Sequence, residues 1–205
     1  MNLAEFVMRG GFLMIFLFII SVIAVALFIE RFLIIKKAAK YEEKTFIEVL
    51  RMIDQQKPAE AANICKLSES SVCKIMEQGL SYADTDINLA QETIEQSANR
   101  FVSTLEKNLS TIATFAAVAP LIGFLGTVTG MIKVFFEMQQ SEVGVDIQIL
   151  AGGIWEALIT TVGGLVVGII CIIFHNYLIT KIETLAFVIS EKTSQVSVHL
   201  RRFQK

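Results

Sequence analysis

Residues 123–132 read "GFLGTVTGMI", three glycines and two threonines within the uncharged stretch Asn108–Ile132. Lipid tails give apolar helices no hydrophobic reason to associate, so membrane helices hold together where small residues let their backbones approach. The stretch therefore reads as a bilayer helix that packs on other helices. The whole chain of 205 residues is 54% hydrophobic yet 19% charged, with mean hydropathy +0.60, so its apolar residues are segregated into blocks. Two further blocks appear: Gly10–Ile29 has no charge, and Gly144–Thr180 has only Asp146 and Glu156. A hydrocarbon core of ~30 Å needs about 20 helical residues, and the blocks predict transmembrane helices over 11–33, 110–136 and 150–180.

Charge sets the orientation. One Arg lies in 1–9, ten lysines and arginines in 34–107, none in 137–149 and five in 181–205. The positive-inside rule places 1–10 and the 137–149 loop outside, and 34–109 and 181–205 in the cytoplasm. The first block is no signal peptide, because its basic cluster Arg31, Lys36, Lys37 and Lys40 follows the apolar run instead of preceding it. The net charge of −2 and the alternation of acids with bases give no basic patch, hence no expectation of nucleic-acid binding.

Inside the cytoplasmic region, Phe46, Val49, Leu50 and Ile53 recur at helical spacing, and "KPAEAANICKL" opens with a Pro suited to a first helical turn. After the turn "ADTD" at 83–86, apolar positions continue from Ile87 into the second span with only Pro120 and glycines as breakers. This predicts one long rod over 87–136. The third span likewise continues without Pro or Gly towards the C-terminus. The fold class is then all-α: a three-helix membrane protein whose second and third spans extend into a helical cytoplasmic domain. Cys65, Cys73 and Cys171 read as reduced structural thiols, and His175 and His199 are too few for a metal site. No phosphate loop, Ser/His/Asp set or paired-carboxylate site appears, so neither an enzyme nor a cofactor is expected.

Ala116, Ala119, Gly123, Gly126 and Gly130 form one stripe, spaced 3, 4, 3, 4; Gly153, Ala157, Thr161, Gly164 and Gly168 form another, spaced 4, 4, 3, 4. Two stripes imply close contact in two directions, which a three-span chain supplies by joining a ring of subunits. Thr127, Thr129, Thr160 and Thr161 bring hydroxyls to membrane depth, where a Thr either bonds back to its own helix or serves function. Glu156 costs roughly 2.5–3.5 kcal/mol in a span, and such groups face a bundle interior or wet cavity. It lies about 9 Å past Leu150 at 1.5 Å per residue, which also leaves open an outward reach to water. Thr127 is expected at that same depth. Around a ring, Thr127, Thr160, Thr161 and Glu156 would line a polar passage suited to protons.

At these residues the sequence resembles the proton-channel family that includes ExbB, TolQ and MotA. The likeness lies in "LSTIATFAAVAPLIGFLGTVTGMIKVF" at 109–135, "GGIWEALITTVGGLVVGIICIIFHNYL" at 152–178 and "FIERF" at 28–32, and covers essentially the whole chain. The resemblance implies a pentamer in the bacterial inner membrane around two copies of a single-span partner like ExbD or TolR, whose membrane Asp carries the proton. It also implies a TonB-like transducer driven by proton motive force. Carried over position by position, the family's pore threonines fall on Thr127 and Thr161, its third-span glutamate on Glu156, and an Asn at the inner end on Asn176. Thr160 stands where Ala is common, and the third span lacks the usual Pro. With about ten residues ahead of the first span, a TolQ-like role in envelope integrity and cell division stays open beside an ExbB-like one. Two readings from other classes stand against the motor: a membrane scaffold, and a secondary transporter, which three spans without an inverted repeat disfavour.

Overall fold

The structure, a computed structural model, describes residues 11–40, 42–140 and 147–202. The expected outer N-terminal segment 1–10, and 141–146 of the 137–149 loop, lie outside the described residues. Among those described, every regular element is an α-helix: α1 Gly11–Ala38, α2 Glu43–Asp54, α3 Pro58–Leu67, α4 Ser71–Leu80, α5 Ile87–Glu106, α6 Leu109–Gln140 and α7 Ile147–Arg202. Three stretches are long and apolar enough to cross a membrane, Gly11–Ala38, Ile87–Gln140 and Leu150–Arg202. Described residues of 11–30 and 108–177 form one compact unit, and those of 31–107 and 178–202 form another.

In the apolar unit, α6 runs antiparallel to α7 and α1 runs parallel to it. Met14 and Leu17 of α1 pack on Gly163, and Phe28 stacks on Phe174 with ring centroids 4.1 Å apart. Met14, Leu17, Ala119 and Ile159 form the buried core shared by the three helices. Side chains on the outer faces, Leu121, Phe124, Leu165, Ile169 and Ile173 among them, are exposed, as suits helices solvated by lipid or by other copies.

The second unit has an ordinary apolar core. Phe46, Val49 and Ile53 of α2 meet Ala61 and Cys65 of α3, Ile75, Met76 and Leu80 of α4, Ala90 and Ile94 of α5, and Ile189, Val196 and Leu200 of α7. The stripe expected on α2 is thus its buried face, with Leu50 half-buried at the margin. Pro58 opens α3, where its missing N–H costs no hydrogen bond. Asp86 caps α5 by accepting from the Asn88 and Leu89 amides at 2.8 and 3.2 Å, worth about 1 kcal/mol. The three cysteines are free and buried. A hydrogen bond between the Cys65 and Cys73 thiols, aided by Ser68 and Ser70, draws Cys73 down to about 7, and with burial pushes Cys65 up.

The expected continuous rod over 87–136 is broken. Helix α5 ends at Glu106, Lys107 is extended with ψ 138°, and Asn108 takes a left-handed φ of 65° before α6 begins. Pro120 does not interrupt α6. The break falls at Asn108 because Asn tolerates the left-handed region and because the buried Arg31 guanidinium donates to the Thr104 carbonyl at 3.2 Å. That carbonyl belongs to the last turn of α5, where backbone acceptors lack intrahelical partners. The third long helix, by contrast, runs unbroken through Arg202, as its sequence predicts.

Candidate functional site

The seam between α6 and α7 is built from both small-residue stripes facing each other. A methyl group added at Gly168 would meet Pro120 Cγ at 2.6 Å, one at Gly164 the Ala119 carbonyl oxygen at 2.5 Å, and one at Gly130 the Ala157 Cβ at 3.0 Å. At Gly126 it would collide with the Thr160 hydroxyl, and at Gly153 with the Val134 side chain. The two stripes are therefore one interface within one chain. The step from two stripes to a ring fails here, because periodicity identifies a contact face without saying what lies against it.

Close approach of the backbones brings hydroxyls together. Thr127 and Thr161 hydrogen-bond through their hydroxyl oxygens. The Thr161 hydroxyl also lies 3.1 Å from the Gly123 carbonyl and 3.3 Å from that of Ala157, and Thr127 reaches the Gly123 carbonyl at 3.5 Å. Both threonines are half-buried. Two donors thus share several acceptors, so each proton has more than one place to point, the condition for a hydroxyl to pass a hydrogen bond onward. Thr160 is placed otherwise: it is buried against Gly126 and bonds back to the Glu156 and Ala157 carbonyls at 3.2 and 2.9 Å. Thr129 likewise bonds back to Leu125 at 2.9 Å.

Glu156 lies further towards the start of α7. It lines a cavity of about 340 Å³ with Phe12, Leu13, Leu125, Gly126, Thr129, Gly130, Lys133 and Thr160. The equal depth expected of Thr127 and Glu156 is corrected by this register. Thr127 pairs with Thr161, five residues and about 7.5 Å along the helix beyond Glu156, while Ala157 lies against Gly130. The error came from counting each helix from an assumed membrane edge, whereas the glycine contacts set the true stagger. Lys133 is a cavity residue that the sequence reading does not single out. Its signal was its position as the sole Lys or Arg between Asn108 and Thr180.

Asn176 stands apart from this group. It is exposed, with the His175 imidazole 3.4 Å from its side-chain oxygen, beside a separate cavity of about 290 Å³ lined also by Ala113, Ala116, Ala117 and Ile172. Fifteen residues separate it from Thr161, about 22 Å of helix. The structure therefore brings Thr127, Thr161 and the seam glycines together, sets Glu156 and Thr160 around a neighbouring cavity, and leaves Asn176 at a distance.

Residues 66–191 match the MotA/TolQ/ExbB proton channel family, a stretch that holds Thr127, Glu156, Thr160, Thr161 and Asn176. A protein named ExbB-like 3 from Synechocystis sp. is 30% identical over 200 residues, 96% of this chain and 94% of its own length. The Tol-Pal system protein TolQ of Haemophilus influenzae is 34% identical over 87 residues, 42% of this chain and 38% of its own. The biopolymer transport protein ExbB of Salmonella typhimurium is 31% identical over 85 residues, 42% and 34% of the two chains. With a family match across more than half its length and three helices fit to span a membrane, the chain belongs to the MotA/TolQ/ExbB proton channel family.

Proposed function

We propose that this chain is a proton-conducting motor subunit of the ExbB type. In this reading it works as a pentamer in the bacterial inner membrane around two copies of an ExbD-like or TolR-like single-span protein. It uses proton motive force to energise a TonB-like transducer for outer-membrane transport. The observation that carries the reading is the Thr127–Thr161 hydroxyl pair, held at membrane depth by a glycine seam that leaves no room for larger side chains. In this reading its acceptors, and the Glu156 carboxylate five residues closer to the start of α7, give a proton oxygen sites within a largely apolar unit. Thr160 belongs to the same pathway as the hydroxyl next to Glu156, and Asn176 marks its inner end.

The test replaces both hydroxyls with isosteric methyls. Thr127→Val with Thr161→Val is expected to leave the protein assembled in the membrane and to abolish energised uptake and proton flux. Full activity in that double variant would sink the hydroxyl pathway. Glu156→Gln in the same assay separates the motor from a scaffold: the motor slows or stops with its assembly intact, while a scaffold is indifferent. A TolQ-like role stands as the second reading because TolQ of Haemophilus influenzae matches over about the same length and identity as the ExbB of Salmonella typhimurium. Under that reading, deletion impairs envelope integrity and cell division while outer-membrane uptake persists.

A further inference from the structure

Gly11, the first residue of α1, has a left-handed φ of 66°, and the space where its side chain would stand is taken. A Cβ built there would collide with the Glu156 Oε1 and lie 3.2 Å from its Cδ and 3.8 Å from its Cγ. The next two residues, Phe12 and Leu13, line the Glu156 cavity. The carboxylate therefore rests on the backbone of Gly11, beside the first turn of α1.

We propose that Gly11 is a positioning residue for Glu156: the absence of a side chain, in a conformation glycine adopts at little cost, makes the seat in which the carboxylate is held. The seat keeps the carboxylate at the start of the first span and away from the Thr127–Thr161 pair, so that a proton reaching Glu156 arrives at a fixed point. This inference rests on the proposed place of Glu156 in the proton pathway. It gives α1, which contributes none of the threonines, a direct part in handling the carboxylate.

The experiment is a double-mutant cycle on the full chain in lipid nanodiscs, read by melting temperature and by the infrared carboxyl band that disappears in Glu156→Gln. Gly11→Ala carries two penalties, strain at positive φ and collision with the carboxylate, and only the second depends on Glu156. The expected result is a fall in melting temperature in the Glu156 chain that shrinks to half or less in a Glu156→Ala chain, with a shifted carboxyl band in Gly11→Ala. Equal falls in both backgrounds, or an unmoved band, overturn the proposal. Should Gly11→Ala fail to fold, Gly11→Asn keeps tolerance of the left-handed region while still placing a Cβ against the carboxylate. The melting cycle reads the seat without any proton movement, and Glu156→Gln flux reads the pathway without the seat. Each can fail alone.

Discussion

Gly152 and Gly164 lie on the same helix and differ only in what surrounds them. Among the described residues, nothing stands within 4 Å of a Cβ added at Gly152, whereas one at Gly164 meets the Ala119 carbonyl at 2.5 Å and the Gly123 Cα at 2.8 Å, both backbone. Backbone cannot rotate away, so Gly164→Ala must separate α6 from α7 and costs about 1–3 kcal/mol. Gly152→Ala removes a glycine from a helix without a collision and gains up to about 1 kcal/mol. Thermal melting of the two variants in one detergent should move in opposite directions, and a common direction would contradict the seam. The stripe was legible in the sequence at Gly164 because small residues recur at helical spacing. Gly11 was not, because a glycine beside Gly10 at the start of an apolar block announces neither its positive φ nor the carboxylate lying on it.

At the scale of elements, charge-free length made the spans legible, and Pro58 and the 83–86 turn marked helix boundaries correctly. The α5–α6 break was not legible because its cause is tertiary: a strong helix sequence ends only where Arg31, 73 positions away, supplies a donor to Thr104. Asn108 is a weak local signal, and the more conspicuous Pro120 is absorbed within α6 by packing against Gly168. The break predicts an ordered set of costs. Asn108→Gly is neutral to within a few tenths of a kcal/mol, while Asn108→Val costs roughly 1–2 kcal/mol for a branched residue at positive φ. Arg31→Met removes a charged donor from the Thr104 carbonyl in a part-buried hydrogen bond and costs about 1.5–3 kcal/mol. Denaturant titration of the purified chain, followed by helical circular dichroism, gives the order. A mild Asn108→Val beside a costly Asn108→Gly would mean that the left-handed turn does not form.

For the whole molecule, the facing stripes change what holds copies together. Ala119, Gly123, Gly126 and Gly130 are consumed by contact with α7, so any ring must close through the other faces of the spans, where Leu121, Phe124, Leu165 and Ile173 are exposed. Lipid competes for such surfaces as well as another copy does, and shape complementarity and polar contacts must then supply the preference. The proposed motor needs that preference, because a single set of Thr127, Thr161 and Glu156 encloses no lumen. Native mass spectrometry of the complex, extracted in mild detergent from cells that express it from its own locus, measures it directly. The expected species is five copies of the 22.8 kDa chain with two copies of a small single-span protein bearing a membrane Asp. Loss of that species on introducing a bulky charged residue at Leu121 or Ile173, with the monomer's helicity unchanged, would assign the ring to these outer faces. A monomer alone under every mild extraction would remove the motor and leave the glycine seam as the packing of an isolated three-helix membrane protein.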